Sequence, residues 1–192
     1  MTSNFKILFF FVFIALTGCS SSLFLNNGDK KDFKEVAKKV NSETVYFIDY
    51  EKKGSVDSIG KLKPENIARI DAYFDKDKSA PKLFKEYTDH GVILFITKKY
   101  AINLYRPQLA KISKDYYEYT KDKPVDEDNL LYVVNGEVLK PNVEGKLIDL
   151  KFSKIKSIEL LSSEDAQKIY GDKAQHGAVI ISSKKNRSTI GK

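Results

Sequence analysis

Two apolar runs close with the same signature. Residues 89–100 read DHGVILFITKKY and residues 175–186 read QHGAVIISSKKN. Each is a turn ending in His-Gly, an apolar run of strand length, then paired lysines. The glycines, Gly91 and Gly177, lie 177 − 91 = 86 positions apart. The pattern ahead of them repeats too. Tyr46 and Tyr132 share that offset, as do Phe84 and Tyr170, whereas Ile67 and Ile70 match Ile155 and Ile158 at 88. A two-residue loop difference, taken up and later returned, marks an internal duplication.

In the first copy TVYFIDY predicts a strand and KKGSVDSIGKLK a turn and loop. Pro64 opens a helical turn in PENIARIDAYF, and Ile67 to Phe74 extend as a strand. SAPKLFKEY, with a serine ahead of Ala-Pro, reads as a short capped helix, and HGVILFITKK closes the unit. The second copy follows with LLYVVNGEVL, a loop, FSKIKSIELL, SSEDAQKIYG and HGAVIISSKK. The nearly unbroken run VILFITK implies a strand covered on both faces; its milder copy AVIISSK is expected nearer an edge. Each copy has about 55 residues, close to the lower limit for one stable core, so the two are expected to pack together.

Outside the copies the pattern changes. Residues 1–19 hold a short polar start with Lys6, an apolar core from Ile7 to Leu16, and small residues leading to Cys19. Ten apolar residues fall short of the roughly 20 that span a bilayer, so this is a signal peptide. Its end, LTGC, resembles a bacterial lipobox. That resemblance implies diacylation of the Cys19 thiol, cleavage before it, and acylation of the new amine. Two or three chains anchor firmly, at about 0.8 kcal/mol per buried CH₂. Ser20 follows the cysteine, where an inner-membrane retention signal would have aspartate, and no acidic cluster resembling a surface-export signal comes after it. The periplasmic face of the outer membrane is the expected location. In the polar tether that follows, Phe33, Val36, Ala37 and Val40 form one helical stripe. Residues 101–130 are rich in tyrosine and charge and read as a connector, helical from Pro107 to Tyr119.

Composition narrows the partners. The net charge of +7 is diffuse: residues 45–100 carry 11 basic and 9 acidic groups, and residues 131–185 carry 9 and 7. Nucleic-acid binders concentrate basic residues into a stripe, so no nucleic-acid partner is expected. The single cysteine excludes an intrachain disulfide.

The second copy resembles the plug domain of TonB-dependent outer-membrane receptors. LYVVNGE (Leu131 to Glu137), IKSIELL (Ile155 to Leu161), DAQKIYG (Asp165 to Gly171) and HGAVIISSKK (His176 to Lys185) match that family's blocks in order. The first copy matches more weakly, through VYFIDYE, IARIDAYF, APKLFKE and HGVILFITKK. The resemblance implies an α+β fold of two plug-like repeats, each a small mixed sheet with short helices. No β-barrel pattern follows, so the plug fold is expected without the receptor's transport role. The expected organisation is signal peptide (1–18), lipidated tether and short helix (19–43), first repeat (44–100), connector (101–130), second repeat (131–185) and tail (186–192).

Candidate chemistry is sparse. His90 and His176 are the only histidines and occupy equivalent places. They read either as a metal or acid–base pair or as turn residues tolerant of left-handed geometry; two histidines make a poor metal site, which favours the turn. Glu164 and Asp165 sit at a helix start, where negative charge suits the dipole. No nucleophile elbow, phosphate loop or zinc-binding His-Glu-x-x-His occurs, so neither enzymatic activity nor a cofactor or metal is expected. Tyr105, Arg106, Tyr116, Tyr117 and Tyr119 form the most binding-like patch: aromatics among cations stack on sugars or dock a protein, or else the tyrosines lie on the sheets as packing. The expected function is that of an outer-membrane lipoprotein acting as an interaction module for an envelope protein, as an accessory to TonB-dependent transport in one form. The alternative is binding of a glycan or anionic polymer by the Tyr/Lys surface.

Overall fold

The computed structural model describes residues 38–184 apart from 54–58, 60–61, 125–128 and 141–142. Cys19, the signal peptide, and Phe33, Val36 and Ala37 of the tether lie outside the described residues. The chain is α+β and divides between Ala101 and Ile102 into two compact units, each built on a four-stranded mixed sheet.

In unit 1, β1 (Val45–Ile48) pairs antiparallel with β2 (Glu51–Lys53) and parallel with β4 (Val92–Thr97). β3 (Ile67–Tyr73) lies antiparallel on the far side of β4, giving the order β2-β1-β4-β3. Unit 2 repeats this with β5 (Leu131–Val134), β6 (Glu137–Val138), β7 (Ile155–Leu161) and β8 (Ala178–Ser183), in the order β6-β5-β8-β7. Register is duplicated as well as order. Val45 pairs with Val92 and Leu131 with Ala178, so both partners move by 131 − 45 = 178 − 92 = 86. β3 is irregular between Ile67 and Arg69, and β7 between Ile155 and Ser157, 155 − 67 = 88 positions on. An extra residue at the same point of both edge strands re-aims the side chains beyond it.

The hairpins explain one element the pattern alone leaves as loop. β1 and β2 are joined by Asp49 and Tyr50, both at positive φ (52° and 68°), and β5 and β6 by Asn135 and Gly136 (51° and 84°). Two successive left-handed residues make the turn whose twist suits a tight hairpin. Asn-Gly announces that turn, whereas Asp-Tyr hides it, so β2 goes unseen in KKGSVDSIGKLK.

Three other expectations are corrected. β8 is an interior strand, bonded to β5 and β7, and not near an edge. Ser182 and Ser183 made it look mild, while Ala178, Val179 and Ile181 are buried. The helix in SAPKLFKEY is a 3-10 helix, Lys82–Tyr87, without a side-chain cap; Ser79 donates its N–H and hydroxyl to Asp77 instead (2.8 and 2.6 Å). Residues 101–130 are no plain connector. α1 (Lys98–Ile112) begins directly after β4 and carries Pro107 inside it rather than at its start, and α2 (Lys114–Thr120) follows, capped by the Ser113 hydroxyl.

From Ile102 onward these helices form part of the core of unit 2. Ile102, Tyr105, Leu109 and Tyr116 are buried with Tyr132, Val179 and Ile181 on one face of the sheet. On the other face α4 (Ser163–Tyr170) brings Ala166 against Leu131, Val133 and Ala178, and small side chains allow close approach of helix and sheet. Between β6 and β7 lies the short helix α3 (Val143–Leu147), which buries Leu147. In unit 1 one face buries Tyr46, Ile70, Ile93 and Phe95. The opposite face is a layer of rings: Phe84, fully buried, has Phe47 at 4.6 Å, Tyr73 at 5.7 Å and Tyr50 stacked at 5.8 Å.

Candidate functional site

The tyrosine patch does not form as a surface. Tyr105 and Tyr116 are 1% and 0% exposed, because the 3.6-residue period of α1 and α2 turns them onto the sheet of unit 2. Tyr105 meets Tyr132 edge-on at 6.0 Å, and the Tyr116 and Tyr132 hydroxyls share a hydrogen bond of 2.9 Å. Arg106 donates to the carbonyls of Lys123 and Pro124 (3.0 and 3.4 Å), which ties α1 to the segment that follows α2. Tyr117 alone of the set is largely exposed, and the Lys123 ammonium sits 3.1 Å above the Tyr119 ring. Of the five residues expected to bind, two are core and one is a tether. The packing alternative for these tyrosines is the one that holds for Tyr105 and Tyr116.

Both histidines occupy exposed turns within their own units. His90 Nδ1 lies 3.0 Å from Glu43, and His176 Nε2 lies 3.0 Å from the Gln175 amide. The left-handed conformation falls on the following residues, Gly91 (φ 85°) and Gly177 (φ 99°), not on the histidines, which corrects the expected geometry. Close approach is the second reason for glycine there. A Cβ at Gly91 would run into the Phe74 ring, and one at Gly177 would lie 2.7 Å from the Leu161 carbonyl oxygen. Among the described residues no three His, Cys, Asp or Glu side chains come together as a metal site. Glu164 and Asp165 open α4 as expected. The Ser162 hydroxyl and then Lys168 hold the Asp165 carboxyl below its ordinary range.

The sequence reading missed a corner where the β5–β6 turn meets the end of β8. The Asn135 side chain accepts from the Ser183 N–H (2.8 Å) and donates to the Ser183 hydroxyl (2.9 Å). The same clamp stands in unit 1, where Asp49 accepts from the Thr97 N–H (2.7 Å) and hydroxyl (2.8 Å). The offsets are again 135 − 49 = 183 − 97 = 86. Beside the clamp of unit 2 opens a hollow of about 330 Å³, lined by Asn135, Asp149, Lys151, Lys154, Ser183 and Lys184 together with two apolar side chains. Its lysines sit on hydrogen-bonded backbone. Lys151 and Lys154 bracket a 3-10 turn closed by the Lys154 N–H on the Lys151 carbonyl (2.7 Å), and the Lys184 N–H bonds to the Lys154 carbonyl (2.9 Å). The run KFSKIK carries the signal, but only the crossing to Lys184 gathers it.

Compared with family models, with curated proteins and with solved structures, the chain matches none. The site therefore has to be read from its own chemistry. A lining of three lysines against one aspartate suits the holding of an anion.

Proposed function

We propose that this chain is a lipid-anchored, non-enzymatic protein of the bacterial outer membrane, on its periplasmic side, acting as an interaction module in an envelope assembly. The observation that carries the reading is the LTGC box around the only cysteine, Cys19, joined to a duplicated unit that resembles a receptor plug. The duplication supports it in a second way. Leu83 and Ile169 are equivalent positions, 169 − 83 = 86, and are exposed by 52% and 64%. One exposed apolar side chain is ordinary surface. The same one kept in both copies suits a surface that meets other proteins.

Replacing Cys19 by alanine should leave an uncleaved or soluble species and abolish labelling by a fatty-acid probe. Labelling that persists would remove the anchor from this reading. The double variant Leu83→Ser, Ile169→Ser should lose an envelope protein that co-purifies with the native chain while keeping its circular dichroism, and unchanged co-purification would remove the interaction surface. Binding of an anionic polymer is the second reading. The lysine hollow favours it, and the tyrosines do not.

A further inference from the structure

We propose that the hollow of unit 2 is a binding site for a phosphate-class oxyanion, held by Lys151, Lys154 and Lys184 with Asn135 and Ser183 beside them in its lining. It requires nothing of the anchor at Cys19, because every residue that builds it belongs to unit 2.

The duplication kept one part of this corner and changed another. Both units have the clamp between the hairpin turn and the last strand. In unit 1 the clamping group is a carboxylate, Asp49, whose charge at this corner repels an anion. In unit 2 it is the neutral amide of Asn135. That amide holds Ser183 through its oxygen and one N–H, and an amide nitrogen carries two. The flanking turn redistributes its charge. By the 88-residue offset of the edge strands, Asp149, Lys151 and Lys154 correspond to Lys61, Lys63 and Asn66, while Lys184 corresponds to Lys98 at 86. A lysine moves from the start of the turn to its end, and the net charge of the corner, clamp included, is the same in both units. The lining of the unit 2 hollow then sums to three lysines minus Asp149, a formal +2. Lysine is a compact point charge with three donors and no directional fork. Several of them around one hollow suit an oxyanion with many equivalent acceptors, such as a phosphate, better than a single planar carboxylate. The anchoring backbone bonds hold Lys151, Lys154 and Lys184 close together without a ligand. Such a phosphate could come from a lipid headgroup or from a soluble compound, and its recognition is the same in either case.

The test titrates the full chain with inorganic pyrophosphate and follows backbone amides by NMR. Saturable shifts are expected at Asn135, Lys154 and Lys184. The double variant Lys151→Gln, Lys154→Gln removes two charge contacts and should weaken binding about tenfold. The sharper variant is Asn135→Asp. It installs the carboxylate that unit 1 uses at this place, so it keeps the clamp and the fold while weakening the anion several-fold. Equal titration by both variants and the native chain would overturn the proposal. So would shifts of the same size at Lys76, Lys78 and Lys85 of unit 1, which would reveal attraction to lysines in general. The source is settled with vesicles of phosphatidylcholine alone or mixed with phosphatidylglycerol, using a chain that begins at Ser20 so that neither an acyl chain nor the apolar segment Ile7–Leu16 contributes. Shifts at the three amides caused by the mixed vesicles and reversed by pyrophosphate mark a lipid headgroup. Shifts with pyrophosphate alone mark a soluble phosphate.

Discussion

β3 and β7 hold the same place in their sheets, the same register against the last strand and the same bulge, yet their surroundings are opposite. β3 is an edge strand buried on both faces: Ala68, Ile70, Asp71 and Ala72 are 1–2% exposed. β7 buries no residue fully, and Lys156, Ser157 and Glu159 are exposed. At equivalent positions Ala68 stands against Lys156, and Asp71 against Glu159. The buried Asp71 side chain pairs with Arg69, whose Nε lies 3.1 Å away. Backbone pairing and side-chain environment are thus separate layers of the fold. Hydrogen bonds of the ladder fix where a strand lies, and that framework is indifferent to whether its outward residues meet water or protein. The same split runs through the cores, since one face of unit 1 is filled by rings around Phe84 and the matching face of unit 2 by Leu131, Val133 and three alanines, one of them on α4.

Exchanging residues between the copies breaks this comparison most forcefully. Ala68→Lys gives unit 1 the residue that unit 2 carries, but places an unpaired charge at a site 2% exposed. It should cost about 4 kcal/mol or more and abolish amide exchange protection in Val92–Ile96. Lys156→Ala, the reverse exchange on an exposed strand, should stay within about 0.5 kcal/mol in urea unfolding. Similar costs for the two would mean that β3 and β7 have the same environment after all.

The turn glycines come next. Gly177→Ala meets both a positive φ and the backbone oxygen of Leu161, so about 3 kcal/mol is expected, with exchange loosened where β7 meets β8. Gly91→Ala meets the Phe74 side chain, which has room to yield only by disturbing the core, so its loss should show in unit 1.

Alkaline pH probes unit 1 by another route. Burial pushes the Tyr46 hydroxyl up to about 12 from an ordinary 10.0, and burial followed by the charge of Asp71 raises Tyr73 further. A tyrosine raised in the folded state holds its proton there longer than in the unfolded chain. Its contribution is complete below pH 10.0 and is lost as pH rises toward 12. The loss for Tyr46 is on the order of 2–3 kcal/mol across that window. Thermal unfolding followed by the exchange of unit 1 amides should show it, and Tyr46→Phe should flatten the slope.

The smallest effect compares equivalent hydroxyls. Tyr132 shares a hydrogen bond with Tyr116, whereas the Tyr46 hydroxyl has no partner among the described residues. Tyr132→Phe should cost about 1 kcal/mol and Tyr46→Phe nothing, or a slight gain, by denaturant titration at neutral pH.

The strands were legible because each has a local cause. The β-branched and aromatic runs that make β1, β4, β5 and β8, and the prolyl turn ahead of β3, are written within a few residues. The offsets of 86 and 88 carried the duplication, and with it the prediction that both units share one plan. Asn135-Gly136 names its hairpin, while Asp49-Tyr50 conceals the same turn behind a residue that seldom adopts positive φ. At the candidate site the sequence pointed to tyrosines, since an aromatic among charges looks the same whether its ring faces a ligand or a core. Only the packing of α1 and α2 on the sheet decided that Tyr105 and Tyr116 are interior and that Tyr117 is not. Likewise Lys151, Lys154 and Lys184 are ordinary surface lysines in the sequence, 184 − 151 = 33 positions apart at the extremes. What gathers them is a non-local bond, the Lys184 N–H on the Lys154 carbonyl, closed as β8 comes to lie beside β7. Element type follows from short-range sterics and from the period of apolar residues, which the chain states directly. Burial and charge convergence depend on partners distant along the chain, so only the tertiary structure decides them.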